Sequence, residues 1–516
     1  MTLQATRQRP PDGSTPAGRA SRLSPRLRAD VLLSVAGAVV AVALVVASLL
    51  VQPALFIIVI AGAALVYLAA FHPKVFALVG VSAIILSNVL QQVVGPLASN
   101  IDEAVIGLSV VAFTTRRLLT EHRIVLLPGT TWFLLFFVFG VLSGVALHVP
   151  YSLMMQSLIL IAKGLLFAFA LAQLRWTDRD FAALLRAGIV AIGVIAVSGL
   201  ANLAFPDAWR GIVGGTITHL GGVTALQGLF QHPAAFGRFT AVLAVGALAY
   251  ACVVRTSLGN AILIGVTVVL TTLTLEVKSI VGLLAALGIL TVRYGRPILI
   301  VVALCFGPFA IALIVPPLIA LVGDAVQMYI IQDSARSTMT WGSLAVATAY
   351  FPFGAGFGRF GSFPAGVNYS PEYYALGFDH VYGLGPGEKG MFLNDTQWPA
   401  IIGESGWLGA AAFSVGIVCV LVSLLRASSP TESVLARWVR ITGVGWLVLL
   451  VIESAAAPVF VSAPSFPFVF AVAGIVASLR SAARDEQLAT GLLPARSLLS
   501  QRLPRSTARQ RAATRG

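Results

Sequence analysis

The chain is 516 residues long, 58% hydrophobic and only 10% charged, whereas soluble domains carry about 25% charge. A water-soluble fold of this composition would leave large apolar areas facing solvent, so a string of ordinary soluble domains is excluded and an all-α, polytopic transmembrane helix bundle is predicted. The net charge of +14 sits mostly in two tails: residues 1–30 hold six Arg against Asp12 and Asp30, leaving +4, and residues 480–516 hold eight Arg against Asp485 and Glu486, leaving +6.

Such Pro/Ser/Arg-rich tails are too polar to bury a core. Flanking an apolar body, they argue for attraction to anionic lipid headgroups and for a cytoplasmic position, and against nucleic-acid binding. The organisation expected is a basic cytoplasmic tail over 1–30, a transmembrane domain over 31–480, and a second basic cytoplasmic tail over 481–516. The apolar run 31–51 follows about thirty polar residues and is long enough to span, so it reads as a retained first helix rather than a cleaved signal. A spanning helix needs roughly 20 apolar residues. Spans are accordingly expected near 31–51, 54–71, 75–97, 102–117, 130–149, 152–174, 181–205, 235–254, 259–276, 279–293, 297–322, 399–425, 437–457 and 464–480, the fourth and tenth being short. Cys252, Cys305 and Cys419 are scattered through these runs and form neither a disulfide framework nor a zinc pattern.

Orientation follows from the short loops. Every second loop is basic: Lys74, Arg116 with Arg117 and Arg123, Arg175 with Arg179, Arg255, Arg293 with Arg296, and Arg426 through Arg440. The opposite loops carry almost no base, which places both termini in the cytoplasm. Two segments on the outer side are long and polar, 206–234 and 323–398. Charge is scarce in this chain, and its concentration on 323–398 points to work done there. The aromatics Tyr369, Tyr373, Tyr374, Phe378 and Tyr382 argue for an ordered, partly helical loop.

Within that loop, Ser334 is placed to cap a short helix that carries Arg336 and ends before Pro352. An arginine near a helix start, with free backbone N–H groups beside it, can hold an anion; its bland alternative is a surface arginine. Gly356, Gly358 and Gly361 spell GxGxxG, but with no strand–helix context they read as a tight turn. Asn394 and Asp395 stand just before a span, and Glu404 lies in its first turns. A carboxylate at a helix mouth can act as a general base or position an acceptor hydroxyl; the alternatives are helix capping by Asp395 and a buried, paired Glu404. Nine residues separate the two, so they face different sides and are not expected to work as a close pair. Glu276 and Lys278 form a charged turn between two apolar runs, where Lys278 either sits in a short loop or meets phosphate. His232 precedes a proline and reads as a ligand, a base or a loop hydrogen-bonder. Arg210, Asp379 and His380 are further polar candidates on the outer segments. Asp178-Arg179-Asp180 has the DxD spacing of metal-binding sugar enzymes, but its helix-start position favours capping. No metal site is expected.

Taken together, Arg336 opening a short helix, Trp341, the run Pro352-Phe-Gly-Ala-Gly-Phe-Gly358, Asn394-Asp395 and Glu404-Ser-Gly-Trp-Leu-Gly409 resemble the O-antigen ligase and polymerase superfamily of polyprenyl-diphosphate-dependent, C-type glycosyltransferases. The turn Glu276-Val-Lys278-Ser279 looks like the family's basic turn, and Gly228-Leu-Phe-Gln-His232-Pro-Ala-Ala-Phe-Gly237 resembles its earlier external motif. The resemblance covers roughly 200–425. It implies transfer of a glycan from a polyprenyl-diphosphate-linked oligosaccharide to a glycan or lipid-linked acceptor hydroxyl, outside a bacterial inner membrane, with neither nucleotide nor metal cofactor. Arg336 and Lys278 match the basic positions that hold the diphosphate. Asp395 falls where ligases carry histidine, a departure that favours a polysaccharide polymerase over a lipid-A-core ligase. The competing class is a transporter or flippase of a lipid-linked sugar, which calls for broken helices and charge near the bilayer midplane.

Overall fold

The computed structural model describes residues 53–95, 100–215, 219–220, 223–295, 334–387 and 392–489. The expected spans 31–51 and 297–322, Cys305, Glu388, Lys389, residues 1–30 and residues 490–516 lie outside the described residues. In chain order the helices are α1 (Pro53–Phe71), α2 (Pro73–Ile85), α3 (Ser87–Val94), α4 (Ile101–Glu121), α5 (Thr130–Ala146), α6 (Tyr151–Ala172), α7 (Asp178–Ala204), α8 (Pro206–Val213), α9 (Pro233–Val253), α10 (Leu258–Leu273), α11 (Val277–Tyr294), α12 (Ala335–Ala349), α13 (Phe363–Val367), α14 (Pro371–Ala375), α15 (Trp398–Leu425), α16 (Val434–Glu453) and α17 (Phe466–Ala489). A two-residue antiparallel ladder, β1 (His219–Leu220) with β2 (Val223–Thr224), is the one strand pairing among the described residues.

Seven of these helices, α6, α7, α9, α11, α15, α16 and α17, are long and apolar enough to cross a membrane, and α2, α5, α10 and most of α1 are shorter apolar helices. The chain is a multi-pass, all-helical membrane protein. Element positions follow the apolar runs closely, with two differences. The single span expected over 75–97 is broken at Leu86, where ψ opens to 10°. The run beyond the break holds Ser87, Asn88, Gln91 and Gln92, so α3 has a polar face that a uniformly apolar span lacks. The C-terminal tail expected from 481 is still helical to Ala489, because α17 is tied down beyond the apolar run: Arg123 pairs with Asp485, and Arg117 Nη2 donates to Ser481.

The core is a ladder of aromatic rings between α5, α15 and α17. Phe133, Phe136, Phe413, Phe460 and Phe470 meet at centroid separations of 4.9 to 6.2 Å, in the edge-on and tilted geometries that ring quadrupoles favour. At one end of the bundle the basic loops converge. Lys74 reaches Asp180 at 2.5 Å, Arg175 reaches Glu121 at 2.6 Å, and Ser433 donates to Asp178 at 2.5 Å. The alternation of basic and neutral loops is thus matched by a real separation of ends. Asp180 also closes a capping box with Thr177, so the DxD carboxylates serve the start of α7 and its neighbours.

The orientation read from the bases carries a direct test. In a background without native cysteines, Asn368→Cys on the long loop is expected to react with an impermeant thiol reagent in intact cells, and Ala427→Cys at the basic end to stay unlabelled. Both positions are exposed. The reverse pattern overturns the orientation.

Candidate functional site

The described part of the long polar segment, 334–387 and 392–398, folds into a cap with its own core. Ser334 accepts a hydrogen bond from the Ser337 N–H and starts α12, as its sequence position suggests. Met339, Phe360, Tyr373, Phe378, Leu384 and Leu393 are buried against one another. Burial holds the Tyr373 phenol neutral by pushing its pKa up, and its oxygen accepts from the Gly361 N–H at 2.8 Å. Beside this core, Arg359 Nε donates to the buried Glu372 carboxylate at 2.8 Å, and Ser370 and Tyr350 add hydroxyl donors.

Glu372 has a pH consequence. Burial raises its pKa, but the hydrogen bonds from Arg359 and Ser370 outweigh burial and bring it below the ordinary 4.5. A depressed carboxylate contributes stability that is fully present above the unfolded-state value and lost as pH falls through the lower folded value. Loop cleavage, read with an acid protease at low pH and a neutral protease near pH 7, is therefore expected to rise steeply below about pH 4. Glu372→Gln should raise cleavage at neutral pH and flatten that dependence; an unchanged profile would remove Glu372 from this role.

The cap is clasped to the bundle by Glu404, which is 2% exposed. Its carboxylate accepts four hydrogen bonds: from Gly358 N at 2.8 Å, Phe360 N at 3.3 Å, Ser362 Oγ at 2.5 Å and Ser157 Oγ on α6 at 2.8 Å. The glycine turn of the cap delivers the backbone donors. Gly358 sits at φ 86°, and a Cβ there would lie 2.8 Å from the Leu153 carbonyl oxygen. On the facing side α15 kinks at Gly406, whose φ of 64° frees carbonyls for the same turn: Ala355 N donates to Gly403 O at 2.8 Å and Gly356 N to Glu404 O at 2.9 Å. The GxGxxG spelling is a tight turn, with a close backbone approach as its physical reason.

Arg336 and Asp395, fifty-nine residues apart, meet at 2.9 Å on the surface of the cap, with side chains 23% and 35% exposed. Asp395 makes this ion pair instead of capping the next helix, which starts at Trp398 with Gln397 at its N-cap and Pro399 in its first turn. Asn394 is half-buried beside it. Among the described residues Glu404 shares no partner with Asp395, in keeping with their spacing along the chain.

Lys278 and His232 converge on Glu276, at 3.5 and 3.9 Å. His232 Nδ1 accepts from the Ala234 N–H and starts α9, so its approach to Glu276 is a contact and not a hydrogen bond. This second cluster is joined to the first through the backbone and a buried pair. Ser279 Oγ and Arg238 Nε donate to Glu453 Oε1 at 2.9 and 3.0 Å, and the adjacent Ser454 carbonyl accepts from Gln397 N, two residues past Asp395. Both basic candidates therefore belong to the same end of the bundle, opposite the basic loops. Arg210 pairs with Asp207 at 3.0 Å on α8, and Asp379 with the exposed His380 at 3.4 Å; among the described residues neither pair is bonded to the Arg336–Asp395 pair.

Among the buried charged residues absent from the sequence-based candidates, two groups lie inside the bundle. Lys163, about 18 Å along α6 from Tyr151 at 1.5 Å per residue, reaches Asp102 at 2.7 Å and Glu103 at 3.7 Å and lies over the Phe466 ring. Arg238 and Glu453 form the other, with both side chains at most 6% exposed. The signal for each was a charge inside an apolar run, which is expensive and functional by default. Among the described residues no three His, Cys, Asp or Glu side chains are grouped as metal ligands would be. Set against known proteins, the chain matches no family model and no curated protein.

Proposed function

We propose that this membrane protein is a glycosyltransferase that polymerises or ligates glycans carried on a polyprenyl diphosphate, at the outer face of a bacterial inner membrane, with polymerisation favoured over ligation. The observation that carries the reading is the Arg336–Asp395 pair. A guanidinium and a carboxylate, both solvent-reachable, sit together on a rigid cap at the end of the bundle opposite the basic loops. In the reaction, the acceptor oxygen bonds to the sugar's anomeric carbon as the bond from that carbon to the diphosphate oxygen breaks. Asp395 takes the hydroxyl proton, and the leaving diphosphate keeps the electron pair. The guanidinium fork of Arg336 suits two phosphate oxygens at once, and Lys278 adds a second positive charge. Stabilising charge that grows on the leaving group is the main source of rate in such a design.

A second reading, transport of a lipid-linked sugar, is favoured by one observation: the buried Lys163–Asp102 pair among α4, α6 and α17, with Glu103 partly exposed beside it. Buried ionisable groups mark ion and proton pathways in transporters. Purified protein in vesicles with a short lipid-linked oligosaccharide separates the two. Longer lipid-linked products, or product transferred to an acceptor, support the transferase; unchanged substrate appearing in the opposite leaflet overturns it.

A further inference from the structure

A groove with a volume of about 620 Å³ opens on a side of the bundle away from the cap. That size lies within the range of ligand sites, about 300–1,000 Å³. Seven helices line it, among them α2 with Leu78, α7 with Ile192, α9 with Leu243, α10 with Leu263, α16 with Val439 and α17 with Phe468, and α6 touches it through Leu171. Neither α11 nor α15, the described spans that flank the cap, lines it.

Its tryptophans are set for an apolar occupant. The indole N–H groups of Trp176, Trp438 and Trp446 are each bonded to a backbone carbonyl, of Leu171, Gly246 and Val242, at 3.0, 3.0 and 2.8 Å. With that donor satisfied, the rings offer only their carbon faces to the groove. The charged residues, Lys74 and Arg255, lie at one mouth, the basic end, while the hydroxyls of Ser82 and Thr442 sit further in. At that mouth Lys74 is occupied by Asp180, while Arg255 is exposed and, among the described residues, no carboxylate pairs with it. Along α2 the groove runs from Lys74 to Ile85, about 16 Å at 1.5 Å per residue. That is close to half of the roughly 30 Å hydrocarbon core, the depth of a single leaflet.

We propose that this groove binds an anionic glycerophospholipid from the leaflet at the basic end, with an acyl chain along the groove and its phosphate beside Arg255. One-leaflet length suits an acyl chain and is too short for a polyprenyl chain. The unpaired guanidinium at the mouth selects for a negative headgroup, and a basic side chain at a membrane surface is worth about a fivefold preference. This lipid is separate from the sugar donor, and the site does not depend on the transferase reading.

The test uses the full chain in detergent, with dioleoyl phosphatidylglycerol or dioleoyl phosphatidylcholine added, and counts bound lipid by native mass spectrometry. Wild type should retain phosphatidylglycerol about fivefold better than phosphatidylcholine. Arg255→Gln should keep a bound lipid and lose the preference. Gly188→Trp should lose the bound lipid, because Gly188 lines the groove and a Cβ there meets nothing within 4 Å, so the indole can enter the space without straining the backbone. As a check independent of either variant folding, phosphatidylglycerol with a mid-chain diazirine should crosslink wild type at groove residues such as Leu243 and Leu263. Equal retention of the two lipids by wild type, an unchanged lipid count in Gly188→Trp, crosslinks confined to other faces, or displacement by a polyprenyl phosphate but not by phosphatidylglycerol would each overturn the proposal.

Discussion

Glu404→Ala is expected to destabilise the protein by about 4 kcal/mol, the scale of breaking a buried polar network by removing one partner. The substitution strands two backbone N–H groups and two hydroxyls around a small cavity, and each unsatisfied buried donor costs roughly 1–3 kcal/mol before any relaxation. The readouts are the thermal unfolding midpoint in detergent and the rate of proteolytic cleavage within the cap. Glu404→Gln keeps the shape and one acceptor oxygen but turns an NH₂ toward donors, so an intermediate loss is expected. Two outcomes separate holding the cap from chemistry. If Glu404→Gln unfolds and is cleaved like wild type yet loses activity, Glu404 takes part in proton transfer; if stability and activity fall together, it holds the cap.

Arg336→Ala is expected to lower glycan transfer by about a hundredfold, or roughly 3 kcal/mol, comparable to losing one donor to a developing oxyanion. Arg336→Lys keeps the charge but loses the two-pronged donor, and should fall between that variant and wild type. The pairing with Asp395 sharpens the companion experiment. Because Asp395 does not cap α15, Asp395→Asn leaves the helix start intact and keeps an oxygen for Arg336, while removing the negative charge and the basicity. Rate lost at normal membrane level and wild-type protease resistance identifies a base or charged positioner. Full polymer production by Asp395→Asn would mean that Asp395 only orients Arg336, and Asp379 and His380 would be the next residues to replace.

The buried clusters explain why some of this was readable in one dimension and some was not. Helix positions follow from long apolar runs with few charges, a local property of the chain, so α6, α9 and α15 start within two residues of where composition alone sets them. The break at Leu86 escaped because hydropathy averages over a window, and four polar side chains in α3 are diluted by the residues around them. Lys163, Arg238 and Glu453 escaped for the opposite reason: each is a single charge in a strongly apolar run, conspicuous only when burial without a partner is recognised as costly. Their partners come from other helices, and nothing in the local sequence names Asp102 for Lys163 or Glu453 for Arg238.

Sequence alone determined the membrane class, the separation of a basic from a non-basic set of loops, and the segment in which polar side chains are concentrated. All three depend on counting residue types over stretches of chain, and transfer into or out of lipid is nearly additive in those counts. Tertiary structure decided which of the polar residues meet. It joined Arg336 to Asp395 across fifty-nine residues, drew Lys278 and His232 onto Glu276, and enclosed Glu404 where both its oxygens are taken. Those outcomes depend on the left-handed turn at Gly358, the kink at Gly406 and the packing of α6 under the cap. Hydrogen bonds form or fail within a few tenths of an ångström, a precision that only the assembled fold provides.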